Sequence, residues 1–342
     1  MVVKVGTAVA EAGSKAHGVL PVPEAFSDGS PVEVPVFVVN GIRRGPTLTL
    51  MMAQHGEEMQ SIEAVRQIMT EIDPRELSGV LQYCLPSPLS FSRRCHFLTI
   101  TENVTGLGRQ VNPNRVWPGK PNGLISERCA HAIWTNMILG RSRCVIDFHT
   151  GDGLAGNPNW VMYQRTHEKT GELALAFGTE YYLCEEHAEG INKLMVESQC
   201  IEHDIASFAP EGGILGREGL PRIGFDMISV GVCKRGIYNV MKRMGMLQGE
   251  PELPRKQIIL ERENAEQIVA DRGGILNFEV KPCQQVKKGE VLGRIFSVRT
   301  FEEIQTLIAP MDGYVWGMPG YPLINAGESI MSIRRLYKII EN

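Results

Sequence analysis

The polarity pattern of the chain is clearest around residues 48–53, an unbroken apolar run of the kind that is buried on both faces of a parallel sheet. It stops at His55-Gly56-Glu57-Glu58, where the glycine permits a sharp turn. From residue 61 to 72 the apolar positions Ile62, Val65, Ile68, Met69 and Ile72 fall at helical spacing until Asp73-Pro74 ends the element. Residues 80–85 begin another strand, and residues 32–39 alternate as a strand before the run, joined to it by the Gly41 to Pro46 turn. Strand, helix and strand in this order predict a parallel α/β sheet.

Residues 86–122 follow no period and carry Arg93, Arg94, Arg109 and Arg115, together with the run Asn112-Pro-Asn-Arg-Val-Trp-Pro-Gly119. A polar loop of this length is usually functional. Beyond it the pattern predicts a helix over 126–139, a strand over 143–149, a Gly/Asn/Pro loop over 151–159, helices over 169–178 and 191–203, a short strand over 205–209 and a long helix over 222–246. Residues 249–254 read as a linker, after which residues 257–333 show only short strand-like runs broken by glycine. The expected organisation is a domain of residues 1–254 and a small all-β domain of residues 255–342.

The spacing His55-x-x-Glu58 decides little by itself, because with 8 His and 39 acidic residues in 342 about one such pair arises by chance. Position decides more. Asp147-Phe148-His149 also ends a predicted buried strand, and ligands gathered at the carboxyl ends of parallel strands lie where open α/β sheets place their sites. His55, Glu58 and His149 together would make a three-ligand zinc site with an open fourth position. Asp147 either supports that site or caps local backbone. Arg115 beside Asn114 suits bidentate binding of a carboxylate, or ties its loop to a backbone carbonyl. Arg93 and Arg94 offer a second positive contact or simply a solvated loop. Glu57 reads as an acidic residue in the first turn of a helix, and His96, His131, His167, His187 and His203 have no partner at ligand spacing and read as structural or exposed.

Composition narrows the setting. A net charge of -4 gives no basic footprint for nucleic acid. No apolar run approaches the roughly 20 residues of a membrane helix, and the first residues lack the apolar core of an export signal, so a cytoplasmic protein without membrane partners is expected. The 8 cysteines are scattered without a C-x-x-C pair, which fits reduced thiols. Nothing in the sequence sets the oligomeric state, and a homo-oligomer is compatible with it.

With His55-Gly56-Glu57-Glu58, Asn114-Arg115-Val-Trp-Pro-Gly119 and Asp147-Phe148-His149 occurring in that order, the chain resembles the succinylglutamate desuccinylase/aspartoacylase family. The resemblance implies a zinc carboxypeptidase-like fold, α/β with a mixed sheet flanked by helices, closed by a small C-terminal all-β, barrel-sandwich-like domain. It implies one Zn²⁺ per chain on His55, Glu58 and His149, with Asn114 and Arg115 on the substrate carboxylate. It also implies a general base in a Glu-Leu-Gly-type segment, whose nearest match is Glu211-Gly212-Gly213 without the Leu; Glu218 is the rival. The tail is similar to lipoyl or biotinyl carrier domains, but Asp312 stands where an attachment lysine would follow Ala309-Pro-Met311. The implied activity is zinc-dependent cleavage of an N-acyl amino acid or related acylated amine. A carboxypeptidase acting on short peptides and a non-catalytic metal-dependent binding protein are the alternatives.

Overall fold

A computed structural model describes residues 1–23, 25–101, 108–150, 157–212 and 224–342 of the chain. The elements that position the site begin with strands β1 (Ser14–Val22), β2 (Val32–Asn40) and β3 (Arg43–Met52), helix α1 (Gln60–Glu71), strand β4 (Ser78–Cys84) and helix α2 (Pro88–Arg93). Helix α3 (Ile125–Ile133), strands β5 (Cys144–Thr150) and β6 (Trp160–Gln164), helix α4 (Glu168–Phe177), strand β7 (Tyr181–Glu185) and helix α5 (Val196–Glu202) follow. Strand β8 (Ala206–Gly212), helix α6 (Met227–Arg243) and the long strand β9 (Lys256–Val269) lead into the terminal region, where β10 (Gly313–Trp316) and β11 (Ser329–Glu341) join the same sheet.

That sheet is mixed. Its order from the β1 edge is β1, β2, β4, β3, β5, β8, β6, β7, β9, β11, β10 and finally Gln285–Val286. The centre β4-β3-β5-β8 is parallel, and the antiparallel pairs are β1 with β2, β2 with β4, β8 with β6, β9 with β11, β11 with β10, and β10 with Gln285–Val286. The apolar run in β3 is unbroken because both of its faces are covered. Leu48, Leu50 and Met52 pack with Ile68 of α1, Phe177 of α4 and Val240 of α6. Met51 turns to the opposite core with Val145, Ile133 of α3 and Cys200 of α5. Alternate side chains of one strand therefore serve two cores, as the pleat requires.

Several expectations change in detail. The aperiodic stretch after residue 86 contains α2, a hairpin of Leu98–Thr101 with Gly108–Val111, and a 3₁₀ turn at Pro113–Arg115. The helix expected over 126–139 is regular only to Ile133 and widens into a π turn over Trp134–Ile138. The one expected over 191–203 is a 3₁₀ turn, Gly190–Leu194, followed by α5. Strands β6 and β7 are not visible in the sequence pattern, since each is only 5 residues long and buried without clean alternation.

The terminal region is strand-rich. Gly274–Phe278, Val291–Phe296, Glu303–Ile308 and Leu323–Ile324 form a second sheet over a core that includes Leu276, Leu292, Ile295, Val315 and Ile330. Strand β9 belongs to both halves. Its beginning pairs with β7, Tyr181 opposite Ile258, and residues 256–260 and 265–269 pair with β11. The register slips between Leu260 and Ala265, an irregularity that re-aims the side chains between them.

Candidate metal centre

Because β3 and β5 are adjacent and parallel, with Met52 opposite Phe148, the segments leaving their carboxyl ends meet at one sheet edge. Gly56 sits where a Cβ would fall 1.8 Å from the Ser90 carbonyl oxygen, so only glycine lets the loop after β3 lie against α2. The loop brings Glu58 between two imidazoles. Its Oε1 is 3.0 Å from His55 Nδ1 and its Oε2 is 2.8 Å from His149 Nδ1. The outer nitrogens are held separately, His55 Nε2 at 3.0 Å from Asn112 Oδ1 and His149 Nε2 at 2.9 Å from Asp147 Oδ2. Both Nδ1 atoms therefore face inward with Glu58, and the three ligand atoms lie within 4.8 Å of one another.

All three side chains are buried. Burial alone would raise the Glu58 pKa, but the His149 charge and hydrogen bonds from both imidazoles bring it down to about 2. For His149, burial favours the neutral ring; Asp147 and Glu58 outweigh it and push its pKa well above the ordinary 6.5. Two imidazole nitrogens and one carboxylate oxygen, converging beside a cavity, are a donor set that fits zinc with a position left open.

The cavity beside these residues has a volume of about 310 Å³ and is also lined by Arg115 and Glu211. Glu211 reaches it from β8, where it is in register with His149 on one side and Trp160 on the other. Gly213 and Glu218 lie outside the described residues. Asn114 is buried beside the cavity, with Nδ2 3.0 Å from His149 Nε2, and its Oδ1 accepts the Val196 N–H at 3.3 Å. Arg115 Nη1 donates to the Asn114 carbonyl at 2.7 Å, as the loop-tying reading expects, and its side chain also lines the cavity. Burial brings its pKa below the usual arginine range, against the opposing charge of Glu197. Arg93 and Arg94 are exposed and do not line this cavity.

Some of the cavity wall was not visible in the sequence. His96, read there as structural or exposed, stacks on His55 with ring centroids 3.7 Å apart and lies 2.8 Å from Glu57 Oε1. Glu57 is thus in the loop before α1, which begins only at Gln60, and not in a helical first turn. Arg262, Trp316 and Arg334 come from the terminal region. Arg262 donates to Glu185 Oε2 at 2.6 Å, whereas Arg334 Nε has no partner among the described residues. Asp147 and Glu197 form a second buried group with His149, their ligand atoms within 4.8 Å of one another. Burial and then the Asp147 charge raise the Glu197 pKa to about 7. No short-range spacing signals these contacts; they arise when elements far apart in the chain meet.

Matching of known proteins agrees with this architecture. The catalytic-domain model of succinylglutamate desuccinylase/aspartoacylase matches residues 44–207, which hold the strand ends and His55, Glu58 and His149. Over those residues the chain is similar to the succinylglutamate desuccinylase/aspartoacylase family. It is similar to the N-alpha-acetyl-L-2,4-diaminobutyric acid deacetylase of Halomonas elongata, 26% identical over 299 residues that cover 84% of this chain and 82% of that protein. Its fold is similar to a succinylglutamate desuccinylase/aspartoacylase from Rhodobacter sphaeroides, with a TM-score of 0.74, 23% identity and coverage of 96% and 97% of the two chains. It is also similar to the product-bound ectoine utilization protein of Ruegeria pomeroyi, with a TM-score of 0.74, 20% identity and coverage of 95% and 96%. Among the described residues, no helix is long and apolar enough to cross a membrane.

Proposed function

We propose that this protein is a cytoplasmic, zinc-dependent amidohydrolase that cleaves the amide bond of an N-acyl amino acid or related small acylated amine, a carbon–nitrogen bond other than a peptide bond. The observation that carries the reading is the convergence of His55 Nδ1, Glu58 and His149 Nδ1 beside the cavity that Glu211 and Arg115 also line. The family and the Halomonas relative support hydrolysis of an acyl amide. In this reading residues 1–254 form the catalytic domain and residues 255–342 a β domain that completes the cavity wall.

His55, Glu58 and His149 would hold one zinc per chain. Bound there, zinc supplies Lewis-acid polarisation of the amide carbonyl and lowers the pKa of water. Arg115 holds the substrate carboxylate through its two-pronged guanidinium, while Asn114 fixes the loop that presents it. Glu211 accepts the proton of the attacking water and delivers it to the departing amine nitrogen. Asp147 accepts from His149 Nε2 and keeps Nδ1 turned to the site.

The test is metal analysis of purified protein combined with amine release from a panel of N-acyl amino acids and short peptides. We expect close to one zinc per chain, loss of that zinc in His149→Ala, and turnover of acyl amino acids above peptides. Preferential release from peptides would move the assignment to a carboxypeptidase. Zinc binding without turnover of any member of the panel would leave a binding protein.

A further inference from the structure

Beneath the metal centre, a line of buried hydrogen bonds runs from the substrate loop to His149. The Trp117 indole Nε1–H donates to Gln54 Oε1 at 2.6 Å, Gln54 Nε2 donates to Asp147 Oδ2 at 2.7 Å, and the same oxygen is 2.9 Å from His149 Nε2. None of these side chains is more than 7% exposed. Trp117 belongs to the Asn-Arg-Val-Trp-Pro-Gly segment, Gln54 directly precedes His55, and Asp147 and His149 share β5, so the bonds link three segments distant in sequence.

We propose that Trp117 is a positioning residue that, through Gln54, holds Asp147 on His149 Nε2 and so keeps Nδ1 free for metal. The argument is one of polarity. An indole nitrogen can only donate, so the Gln54 amide must turn its oxygen to Trp117 and its NH₂ to Asp147. A buried Asp147 carboxylate can only accept, so it demands an N–H at His149 Nε2, and a neutral ring then carries its lone pair on Nδ1, facing Glu58 and His55. Asn114 Nδ2 also lies 3.0 Å from Nε2, but an amide N–H cannot donate to an N–H, and the charged acceptor prevails over the neutral amide. Without the indole N–H the Gln54 amide loses its fixed orientation, and the other face of the relay is released with it.

This inference rests on the proposed metal site, and its test reads metal affinity directly. Zinc dissociation constants are measured by chelator competition for the parent, Trp117→Phe, Gln54→Met and the double variant, with thermal melting of each metal-free protein alongside. Trp117→Phe keeps an aromatic ring and removes only the donor. We expect its zinc affinity to fall about tenfold, the lower end of what outer partners of metal ligands contribute. The double variant should bind no more weakly than Gln54→Met, because both changes cut one line. A Trp117→Phe protein that melts lower but binds zinc like the parent, or penalties that multiply in the double variant, overturns the relay and leaves Trp117 as packing. Should Trp117→Phe fail to fold, Gln54→Met with parental zinc affinity overturns it equally. A parent chain that binds no zinc sinks the metal site and the relay together, whereas unchanged variants of a zinc-binding parent sink the relay alone.

Discussion

The two walls of the cavity are built in different ways. One wall, His55, Glu58, His149 and Glu211, stands at the ends of adjacent strands in the central sheet, where backbone pairing fixes the spacing of the segments. The other, Arg262, Trp316 and Arg334, comes from β9, β10 and β11, and Arg262 is aimed by the register slip in β9. The first wall offers metal donors and a carboxylate held by a rigid scaffold. The second offers two guanidiniums and an indole. Arg262 is paired with Glu185, and Arg334 is tied through Nη1 to the Arg262 carbonyl at 2.9 Å while its Nε has no partner among the described residues. The Arg334 pKa is brought down to about 10 by burial and then by the Arg262 charge. Under the proposed function, reaction type and substrate fit are carried by different parts of the chain.

Changes in the two walls should therefore damage activity differently. The largest effect is expected from Glu211→Gln, which keeps the shape of the side chain but cannot take a proton. Turnover should fall about 10² to 10⁴-fold with zinc content unchanged, measured by steady-state rates and metal analysis of the same preparations. Parental turnover would remove Glu211 from the proton path and direct attention to Glu218. A smaller effect is expected from Arg334→Met. It removes a cation from the second wall, so KM for an anionic substrate should rise roughly tenfold, the scale of one charged hydrogen bond, with kcat and zinc content little changed. A fall in zinc content there would erase the distinction between the walls.

The smallest and most graded effect is that of pH on zinc loading. The folded, metal-free protein holds the His149 proton to a pH above 6.5, so this pairing adds stability that is fully present below 6.5 and is lost as pH rises through the raised value. Zinc needs the bare Nδ1 and must displace that proton. Its dissociation constant should fall by up to about tenfold per pH unit above 6.5, approaching a plateau once His149 has lost its proton. Arg334→Met should follow the same curve, because the second wall takes no part in it. A dissociation constant flat across this range would show that Glu58 and Asp147 do not hold the proton as described.

How much of this was legible in the sequence follows the same division. The run through residues 48–53, the helix after it and the Asp147-Phe148-His149 strand end could be read because each is signalled within a few residues by period and turn chemistry. Arg115 stood out as a guanidinium beside Asn114 in an aperiodic polar loop, Glu211 only with the family's motif in view, and the geometry brings both to the cavity without testing their roles. His96 was passed over because its partner His55 is far away in the chain and joins it by stacking, which has no sequence period. Arg334 sits in a strand where an arginine reads as an ordinary solvent-facing residue, and only the pairing of β11 with β9 and β10 turns it inward.

The continuity of β9 bears on how substrate can come and go. A terminal region attached by a loose tether could swing aside like a lid. Here Ile258, Ile259 and Leu260 are hydrogen-bonded into the central sheet beside β7, and the segment ahead of them is pinned where Glu252 exchanges backbone bonds with the Asn239 side chain. Opening the cavity by rotation would tear a ladder in the middle of a twelve-stranded sheet. Rotation of the terminal region as a body is therefore not a way to open the cavity. A chain cut short after residue 254 would lose Arg262, Trp316 and Arg334 from the cavity wall and also leave β7 as a bare edge, with Tyr182 and Leu183 ready to pair with another molecule.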